Sequence, residues 1–464
     1  MYKKKAHIHF VGIGGIGMSG IATILAYQGY TISGCDLDIE QQSVRQLKDM
    51  GCSIFEGHNC FKEQNITPDV VVYTSAVKPS HPEILAAQKL GIPTIGRALM
   101  LAELMRTKYS VAIAGSHGKT TTTSMIAHIL IEAEKDPTVI IGGHLKNISS
   151  NARFGDGDFL VAEADESDRS LLRLHATLAV ITNIDLEHLE TYKDLDDIKE
   201  TFKAFLLNLP FYGKAIICLD DPNIRSLLPL PSTKIISYGI NEDADYQAKT
   251  IQLMPETSSC QIYNKKADQI IGNLTINMAG IHNVSNALAA TAVALDLDVS
   301  FEQVTKALAS FKGIDRRFTY HGTYRDAEIF DDYGHHPKEI YYTLMAARRR
   351  AKNRLIVVFQ PHRYTRTSKL WDDFVNMFKS QPIDELIITD IYSASEEPIE
   401  GVTSKKMCDA ITQAQTSYPV TYAPFSKDFN NIKAVLDTRI APNDLVLLLG
   451  AGKLNLFAAQ LTDS

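Results

Sequence analysis

The sequence has few cysteines, a small excess of negative charge and no long apolar run, and each shortage excludes a class of protein. Its six cysteines are scattered over 464 residues and form no C-x-x-C pair, so a reduced, cytoplasmic compartment is expected. The formal net charge of -7 argues against nucleic acid as a partner, because phosphate backbones recruit basic surfaces. No stretch approaches the roughly 20 apolar residues that cross a bilayer, so membrane insertion is not expected. The basic start runs at once into glycines without an A-x-A site, and no signal peptide is expected.

The length and the alternation of strand-like and helix-like stretches predict three α/β domains. A chain of 464 residues with 45% hydrophobic content is too long for one ordinary domain and has ample core for two or three. Short β-branched runs followed by helical stretches are typical of parallel sheets. We expect a Rossmann-like domain over residues 1–107, a central domain with a parallel or mixed sheet over 108–314, and a Rossmann-like domain over 315–464.

A glycine-rich turn follows the first predicted strand. The stretch "HIHFVGIGGIGMSGIA" fits G-x-G-x-x-G at Gly12, Gly14 and Gly17. Backbone N–H groups in such a turn bind a diphosphate, and Asp36 lies where a dinucleotide fold places its ribose contact. The pattern alone leaves two interpretations open, which are a nicotinamide or flavin dinucleotide in an oxidoreductase and a diphosphate of another ligand.

A second glycine turn, "GSHGKT", is more specific. Its glycines let backbone N–H groups surround phosphate oxygens, and the helix that follows adds partial positive charge. Lys119 would reach the β and γ phosphates and the Thr120 hydroxyl would bind Mg²⁺. A strict Walker A motif needs glycine where this chain has Ile113, so the match is to the shorter G-x-x-G-K-T form. We predict ATP binding and a P-loop ATPase-like central domain, against the alternative of a glycine turn that only begins a helix.

Acidic and amide side chains near this turn are candidates for metal and nucleotide contacts. Glu163 ends an apolar strand, where parallel sheets place ligands, and His188 follows another buried strand. Mg²⁺ prefers oxygen ligands, so His188 is the less usual ligand, and a structural histidine remains an alternative. Asn283 and Asn286 lie one turn apart on a predicted helix and would either hold the nucleotide or cap and pack the helix. The other acids of "EADESD" are as well explained by a solvated acidic loop; they are Asp165, Glu166 and Asp168.

Taken together, "GIGGIGMSG", "GSHGKTTTT", "EADESD", "HNVSNALAA", "DRRF" and "DDYGHHPKEI" resemble the Mur ligases of bacterial cell-wall synthesis, in the family's order over nearly the whole chain. "VGIGGIGMSGIA" and "DDYGHHP" with "FQPHRYTRT" are similar to the member that adds the first amino acid. A relative that recycles the whole tripeptide also has a His-His-Pro stretch, but its glycine turn differs. A dehydrogenase has no use for a separate Gly-Lys-Thr site, which disfavours the oxidoreductase. A non-catalytic nucleotide-binding protein remains a further alternative.

The resemblance implies an activity, its cofactors and its partners. The expected reaction is ATP-dependent ligation of L-alanine to the lactyl carboxylate of UDP-N-acetylmuramate, through an acyl phosphate and a tetrahedral intermediate. It belongs to peptidoglycan precursor synthesis and hence to cell shape and division. The implied cofactors are ATP and two Mg²⁺ ions, the implied partners are these small molecules, and the implied state is a monomer or homodimer. The third domain is expected to close over the site.

The resemblance also assigns residues. The first turn would bind the diphosphate of UDP, with candidate contacts at Gly14, Gly15, Ile16, Gly17, Asp36, His58 and Ser75. ATP would be bound by Gly115, Ser116, His117, Gly118, Lys119, Thr120, Thr121, Asn283, Asn286, Arg317 and Asp332. Thr120, Glu163 and His188 would ligate metal, and His335, His336 and Arg363 would bind the amino acid. The expected catalytic set is Lys119, Glu163, His188, Arg317 and Asp332. The sequence departs from the family at Lys453 in "GAGKLN" and mildly at Ser116.

Overall fold

The structure is a computed structural model that describes residues 6–58, 61, 66–74, 76–145 and 150–462. Three separate sheets of five, ten and six strands follow one another along the chain, which confirms the predicted α/β class with three domains. By contacts, the first two sheets belong largely to one compact unit, and residues 313–464 with 251–259 and 275–284 form the other. The predicted domain boundaries near 107 and 314 stay predictions.

The first sheet is parallel throughout. Its strands are β1 (His7–Val11), β2 (Thr31–Asp36), β3 (Ser53–Glu56), β4 (Val70–Tyr73) and β5 (Thr94–Gly96), with helices α1 (Ile16–Tyr27), α2 (Gln42–Asp49), α3 (Pro82–Lys89) and α4 (Arg97–Met105). The strand order is β3-β2-β1-β4-β5. Because parallel strands end at one edge, the turn after β1 and the start of α4 after β5 lie at the same edge, where such sheets bind ligands.

The second sheet is mixed. Its strands are β6 (Tyr109–Ala114), β7 (Thr138–Leu145), β8 (Ser150–Arg153), β9 (Phe159–Glu163), β10 (Leu178–Ile181), β11 (Lys214–Cys218), β12 (Lys234–Gly239), β13 (Tyr246–Leu253), β14 (Ser258–Asn264) and β15 (Gln269–Ile276). The order is β15-β14-β13-β12-β11-β10-β6-β9-β7-β8. Strand β6 pairs in parallel with β10 and β9, whereas β7 and β8 are antiparallel. The helices of this part of the chain are α5 (Lys119–Glu132), a short 3₁₀ helix (Ser170–Arg173), α6 (Leu195–Leu207), α7 (Pro222–Arg225), α8 (Ile281–Asp296) and α9 (Phe301–Ser310).

The third sheet has one antiparallel edge. Its strands are β16 (Thr319–Tyr324), β17 (Ala327–Asp332), β18 (Leu355–Phe359), β19 (Glu385–Ile388), β20 (Val420–Tyr422) and β21 (Leu445–Leu449), in the order β16-β17-β21-β18-β19-β20. The helices are α10 (Pro337–Arg350), α11 (Tyr364–Lys369), α12 (Trp371–Lys379), α13 (Ser404–Gln413), α14 (Asn430–Asp437) and α15 (Leu454–Thr462). Strands β16 and β17 pair antiparallel, whereas β17 with β21, β21 with β18, β18 with β19 and β19 with β20 pair in parallel.

Helices cover both faces of this third sheet, and its central strands β18, β19 and β21 are buried along their whole length for that reason. In β21, Leu445, Leu447 and Leu449 pack into one core cluster, and Val446 and Leu448 pack into another on the opposite face. The continuous apolar run "DLVLLLG" is typical of a strand that is buried on both faces. Among the described residues, no helix has both the length and the apolarity required to cross a membrane.

Candidate functional site

The first glycine turn is held by the end of the neighbouring strand. Gly12 has a φ of +79°, and its N–H donates to the Cys35 carbonyl at 2.9 Å. The Gly14 N–H donates to Asp36 Oδ2 at 2.8 Å, and a Cβ at Gly14 would come within 2.9 Å of that oxygen. The structure therefore brings Gly14 and Asp36 together, and the chain's own carboxylate takes one N–H of the turn.

The other residues predicted to contact UDP follow different strands of the same sheet. Gly15 is the N-cap residue of α1, and Ile16 is exposed at the first helical position. Gly17 lies in the first turn of α1, with the guanidinium of Arg97 against it. His58 follows β3 and pairs through Nδ1 with His81 Nε2 at 2.8 Å. Ser75 lies outside the described residues.

The second glycine turn is preformed between β6 and α5. Gly115 and Gly118 have φ values of +129° and +82°, which favour glycine. A Cβ at Gly115 would collide with the Thr182 hydroxyl, and one at Gly118 would lie 2.6 Å from Asn286 Oδ1. The turn is fastened to the end of β10, since the His117 carbonyl accepts from Thr182 Oγ1 at 2.6 Å and from Asn183 Nδ2 at 2.9 Å. The loop therefore has little freedom to change shape.

Lys119 points its ammonium back into this turn. Its Nζ donates to the Ser116 carbonyl at 3.1 Å and to Glu166 Oε1 at 2.6 Å. Glu166 is only 3% exposed. Burial acts to lower the pKa of Lys119, but the Glu166 carboxylate outweighs it and holds the pKa above the ordinary value. The ammonium is therefore charged, and a buried carboxylate is its partner.

Three ligand-type side chains meet beside Lys119. Oxygen or nitrogen atoms of Glu166, Glu187 and His188 all lie within 4.8 Å of one another, and His188 Nε2 is 3.5 Å from Glu166 Oε1. Burial acts to lower the pKa of His188, but its hydrogen bonds to Glu166 and Glu190 raise it to about 9. Glu166 Oε2 and Glu187 Oε1 are buried without a hydrogen-bond partner. Because buried carboxylate oxygens normally have partners, the cluster fits a bound cation.

Glu163 lies at the same edge as the second glycine turn. Strand β9 pairs in parallel with β6, with Glu163 opposite Ile113, and Thr120 is the second residue of α5. Glu163 Oε1 accepts from the Gly142 N–H at 2.9 Å, and a Cβ at Gly142 would lie 2.7 Å from Glu163 Oε2. A carboxylate and a hydroxyl are oxygen ligands of the kind that Mg²⁺ prefers.

The two asparagines of α8 have different partners. Asn286 contacts the glycine turn at Gly118 and accepts from the Thr122 hydroxyl at 3.2 Å. The Asn283 amide donates to the Ala279 carbonyl at 2.8 Å, just before the helix begins. Asn286 is thus joined to the turn, while part of the Asn283 side chain holds the start of its own helix.

In the second compact unit, Asp332 ends β17 in a buried position. It accepts from the N–H groups of Phe318 at 2.8 Å and Gly334 at 2.7 Å and from the Thr343 hydroxyl at 3.2 Å. Burial raises the pKa of Asp332 to about 6, although the Arg317 charge and the backbone donors oppose the shift. Arg317 lies with Nη1 3.8 Å from Glu339 Oε1. The structure therefore places Arg317 and Asp332 in one charged cluster.

The predicted amino-acid contacts of the same unit surround the starts of α10 and α11. His335 Nδ1 lies 3.1 Å from the Tyr333 carbonyl, and burial holds the pKa of His335 well below its usual value. His336 is the N-cap of α10, where its Nδ1 accepts from the Lys338 N–H at 3.3 Å. Arg363, with a φ of +70°, lies with Nη1 3.7 Å from Glu396 Oε1.

Sequence reasoning missed or undervalued several residues here. Glu166 was weighed equally as a solvated acid, yet it is buried against Lys119. Glu187 and Arg97 were not considered, although Glu187 directly precedes the candidate His188. No spacing rule pairs Lys119 with an acid 47 positions away, because the pairing depends on the order of strands in the sheet. The capping pattern at Ser300 and Gln303, which begins α9, was an available signal that was not used.

Comparison with known proteins assigns all three domains to one family. The description "Mur ligase family, catalytic domain" matches residues 7–109, "Mur ligase middle domain" matches 113–294, and "Mur ligase, glutamate ligase domain" matches 316–452. These matches cover the three sheets in order.

Close relatives match nearly the full length. The UDP-N-acetylmuramate–L-alanine ligase of Syntrophus aciditrophicus is 48% identical over 99% of this chain and 94% of its own length. That of Geotalea daltonii is 47% identical over 100% and 99%. The crystal structure of the UDP-N-acetylmuramate–alanine ligase of Thermotoga maritima is 26% identical with a TM-score of 0.81, covering 99% of this chain and 98% of that one. A murein peptide ligase from Psychrobacter arcticus is also 26% identical, with a TM-score of 0.72 and 99% coverage of both chains. The chain belongs to the Mur ligase family.

Proposed function

We propose that this chain ligates L-alanine to the lactyl carboxylate of UDP-N-acetylmuramate at the expense of ATP, as a step in peptidoglycan precursor synthesis. The observation that carries the choice of substrates is 48% identity over 462 residues to a ligase of that name. The preformed turn around Lys119 supports the ATP-dependent half, because phosphoryl transfer needs fixed positive charge at the developing negative charge. As a Mur ligase, the chain uses ATP and Mg²⁺ and acts on small molecules.

The reaction requires that the lactyl carboxylate first be activated, because amide formation from a free carboxylate is uphill in water. The γ-phosphoryl group of ATP passes to a carboxylate oxygen, giving ADP and an acyl phosphate. The amine of L-alanine then attacks the acyl carbon, and the tetrahedral intermediate expels phosphate. Lys119 supplies positive charge to the transferring group. The remaining ATP contacts of the proposal are Gly115, Ser116, His117, Gly118, Thr120, Thr121, Asn283, Asn286, Arg317 and Asp332.

The proposal includes two Mg²⁺ ions. Thr120 and Glu163, at one sheet edge, would hold the first, and His188 with the unpartnered oxygens of Glu166 and Glu187 would hold the second. Bound Mg²⁺ neutralises phosphate charge. Because Mg²⁺ prefers oxygen ligands, the two carboxylates make the second cluster suitable despite its histidine nitrogen.

The two-ion proposal predicts a change in metal stoichiometry. In the presence of ADP, the full chain is expected to bind two Mn²⁺ ions, measured by electron paramagnetic resonance. The His188→Ala variant is expected to bind one, because only the oxygen ligands of Thr120 and Glu163 remain complete. A stoichiometry of one for the unaltered chain, or an unchanged value in the variant, would contradict the second site.

The amino-acid pocket is proposed in the C-terminal domain, where His335, His336 and Arg363 lie near the starts of α10 and α11. A guanidinium binds a carboxylate through two parallel hydrogen bonds, so Arg363 would hold the carboxylate of L-alanine. The depressed pKa of His335 keeps its imidazole neutral, as acceptance of a proton from the attacking amine requires. The uridine nucleotide is proposed to bind at the edge of the first sheet. Its contacts there would be Gly14, Gly15, Ile16 and Gly17 after β1, together with Asp36, His58 and Ser75.

The proposal also includes domains at 1–107, 108–314 and 315–464, a cytoplasmic location, and a monomer or homodimer. The scattered cysteines support a reducing compartment. The described cysteines form no disulfide, and Cys35, Cys218, Cys260 and Cys408 are buried. Sedimentation of the full chain would separate monomer from homodimer.

The tripeptide-recycling reaction is the second candidate, favoured by the match to a murein peptide ligase. Purified protein with ATP, Mg²⁺ and UDP-N-acetylmuramate is expected to release phosphate with L-alanine at least about tenfold faster than with the cell-wall tripeptide, because a pocket built for one small amino acid rejects a longer acceptor. Faster release with the tripeptide would overturn the choice of acceptor. Release with neither would overturn the ligase function.

A further inference from the structure

Arg97 occupies a position between two candidate anion sites. It is the first residue of α4, directly after β5, and so lies at the same sheet edge as the first glycine turn. Within the middle domain, "EADESD" carries Glu166, the partner of Lys119, and the neighbouring Asp165. Residues 1–250, which include Arg97, Asp165 and Glu166, belong to one compact unit.

The guanidinium of Arg97 packs on the glycine turn itself. A Cβ placed on Gly17 would lie 3.0 Å from Arg97 Nη1 and 3.2 Å from its Cδ. Gly17 has no positive φ, so backbone conformation does not require glycine there. The absence of a side chain at Gly17 instead lets the arginine approach the first turn of α1. The third glycine of the motif therefore makes room for a cation.

That turn needs added positive charge if it binds a diphosphate. The first N–H groups of a helix have no partner within the helix, and the first turn of α1, which reads "IGMS", carries no charged side chain. Asp36 already accepts a hydrogen bond from the Gly14 N–H, and its carboxylate brings a negative charge to the glycine turn. The half charge of a helix N-terminus is small against a diphosphate beside a carboxylate.

Arg97 is also tied to the middle domain. Its Nη2 donates to Asp165 Oδ2 at 2.8 Å, with 21% of the Arg97 side chain exposed. Asp165 in turn caps its own loop by accepting from the Ser167 N–H at 3.0 Å. A guanidinium has five N–H donors in a planar fork, so the contact with Asp165 leaves donors for a second anion.

We propose that Arg97 is a substrate-binding residue, which contacts the diphosphate of the uridine nucleotide on one side while Asp165 holds its guanidinium on the other. This inference rests on the proposed function. It identifies the source of positive charge that the first turn lacks, and it makes Asp165 a positioning residue that fixes the orientation of the fork. A planar bidentate cation of this kind suits phosphate oxygens.

The test is calorimetric binding of UDP and of uridine to the full-length chain and to Arg97→Gln. The variant is expected to bind UDP about 10- to 30-fold more weakly, the range lost when a charge-assisted hydrogen bond is removed, and to bind uridine unchanged. Asp165→Asn keeps the shape of the side chain that pairs with Arg97 but removes its charge. This variant is expected to weaken the binding of UDP far less than Arg97→Gln does. Arg106→Gln is the matched control, since Arg106 follows the same helix and pairs with Glu103 at 3.1 Å at the surface.

The binding of UDP and uridine by the variants tests whether Arg97 contacts the diphosphate. Equal UDP affinity in Arg97→Gln and the unaltered chain would overturn the inference. Equal losses for UDP and uridine would also overturn it, because they would show that Arg97 only holds the two domains together. Failure of the unaltered chain to bind UDP at all would instead overturn the proposed function, and this inference with it. Selective loss of UDP binding would support the assignment.

Discussion

Lys119→Ala is expected to lower turnover by about 10²- to 10³-fold, the scale of losing a fixed donor to a transition state. The ammonium is held inside the glycine turn, 3.1 Å from the Ser116 carbonyl, and alanine at this position removes its charge from the turn. ADP release from saturating ATP, UDP-N-acetylmuramate and L-alanine measures the effect. Near-normal release would remove the central assignment of the proposed mechanism.

The same substitution also removes the partner of a buried acid, so loss of fold must be separated from loss of chemistry. Glu166 is 3% exposed, and loss of one partner of a buried ion pair is destabilising by up to about 3–5 kcal/mol, although His188 remains 3.5 Å away. The double variant Lys119→Ala with Glu166→Gln removes the carboxylate charge. It is expected to recover most of the melting temperature, while its turnover stays far below that of Glu166→Gln alone. A double variant as active as Glu166→Gln alone would show that Lys119 serves the fold alone.

A surface lysine provides the matched control for this experiment. Lys203 lies on α6 and pairs with Glu200 at 3.9 Å, and an exposed pair of this kind contributes little to stability. Lys203→Ala is expected to leave both turnover and melting temperature unchanged. A comparable loss in Lys203→Ala would mean that the effect at position 119 is not specific to the glycine turn.

The sequence allowed the strand–turn–helix units to be predicted because their signals are local. "GSHGKT" and "VGIGGIG" fix where a strand ends and a helix begins, and apolar runs such as "DLVLLLG" identify strands buried on both faces. The strands β13, β14 and β15 were not predicted, since their alternation is partial and their partners come from the neighbouring strands of the sheet. Local sequence patterns therefore predict strand–turn–helix units, whereas the strands at the edge of a sheet depend on pairing with strands that are distant in the sequence.

The residues of the candidate site also fall into those that a local motif indicates and those that only tertiary contacts reveal. Lys119, Thr120 and Glu163 could be proposed from the sequence because each follows directly from a turn or a strand end. Arg97 and Glu166 could not be singled out, because their placement depends on contacts with residues 68 and 47 positions away. An acid in "EADESD" is buried or solvated according to how the loop folds over α5, and composition cannot decide between the two.

Glu166→Gln is expected to lower turnover by about 100-fold, again on the scale of a lost electrostatic contact in the transition state. Glutamine keeps the size of the side chain and its hydrogen bond to Lys119 but removes a charge from the cluster with Glu187 and His188. The proposed second cation would then be bound weakly. The measurement is turnover across a Mg²⁺ titration, in which a higher Mg²⁺ requirement accompanies the loss.

The same substitution separates two roles of Glu166, because its carboxylate and the phosphates of ATP compete for one ammonium. Removing the charge is expected to strengthen metal-free ADP binding by about tenfold, roughly the 1.4 kcal/mol of a modest charge interaction, while turnover falls. Glu190→Gln is the control, since Glu190 approaches His188 Nδ1 at 3.8 Å from a more exposed position, and it is expected to change neither quantity more than about twofold. Weaker nucleotide binding in Glu166→Gln would show that the carboxylate organises the glycine turn for ATP rather than competing with it.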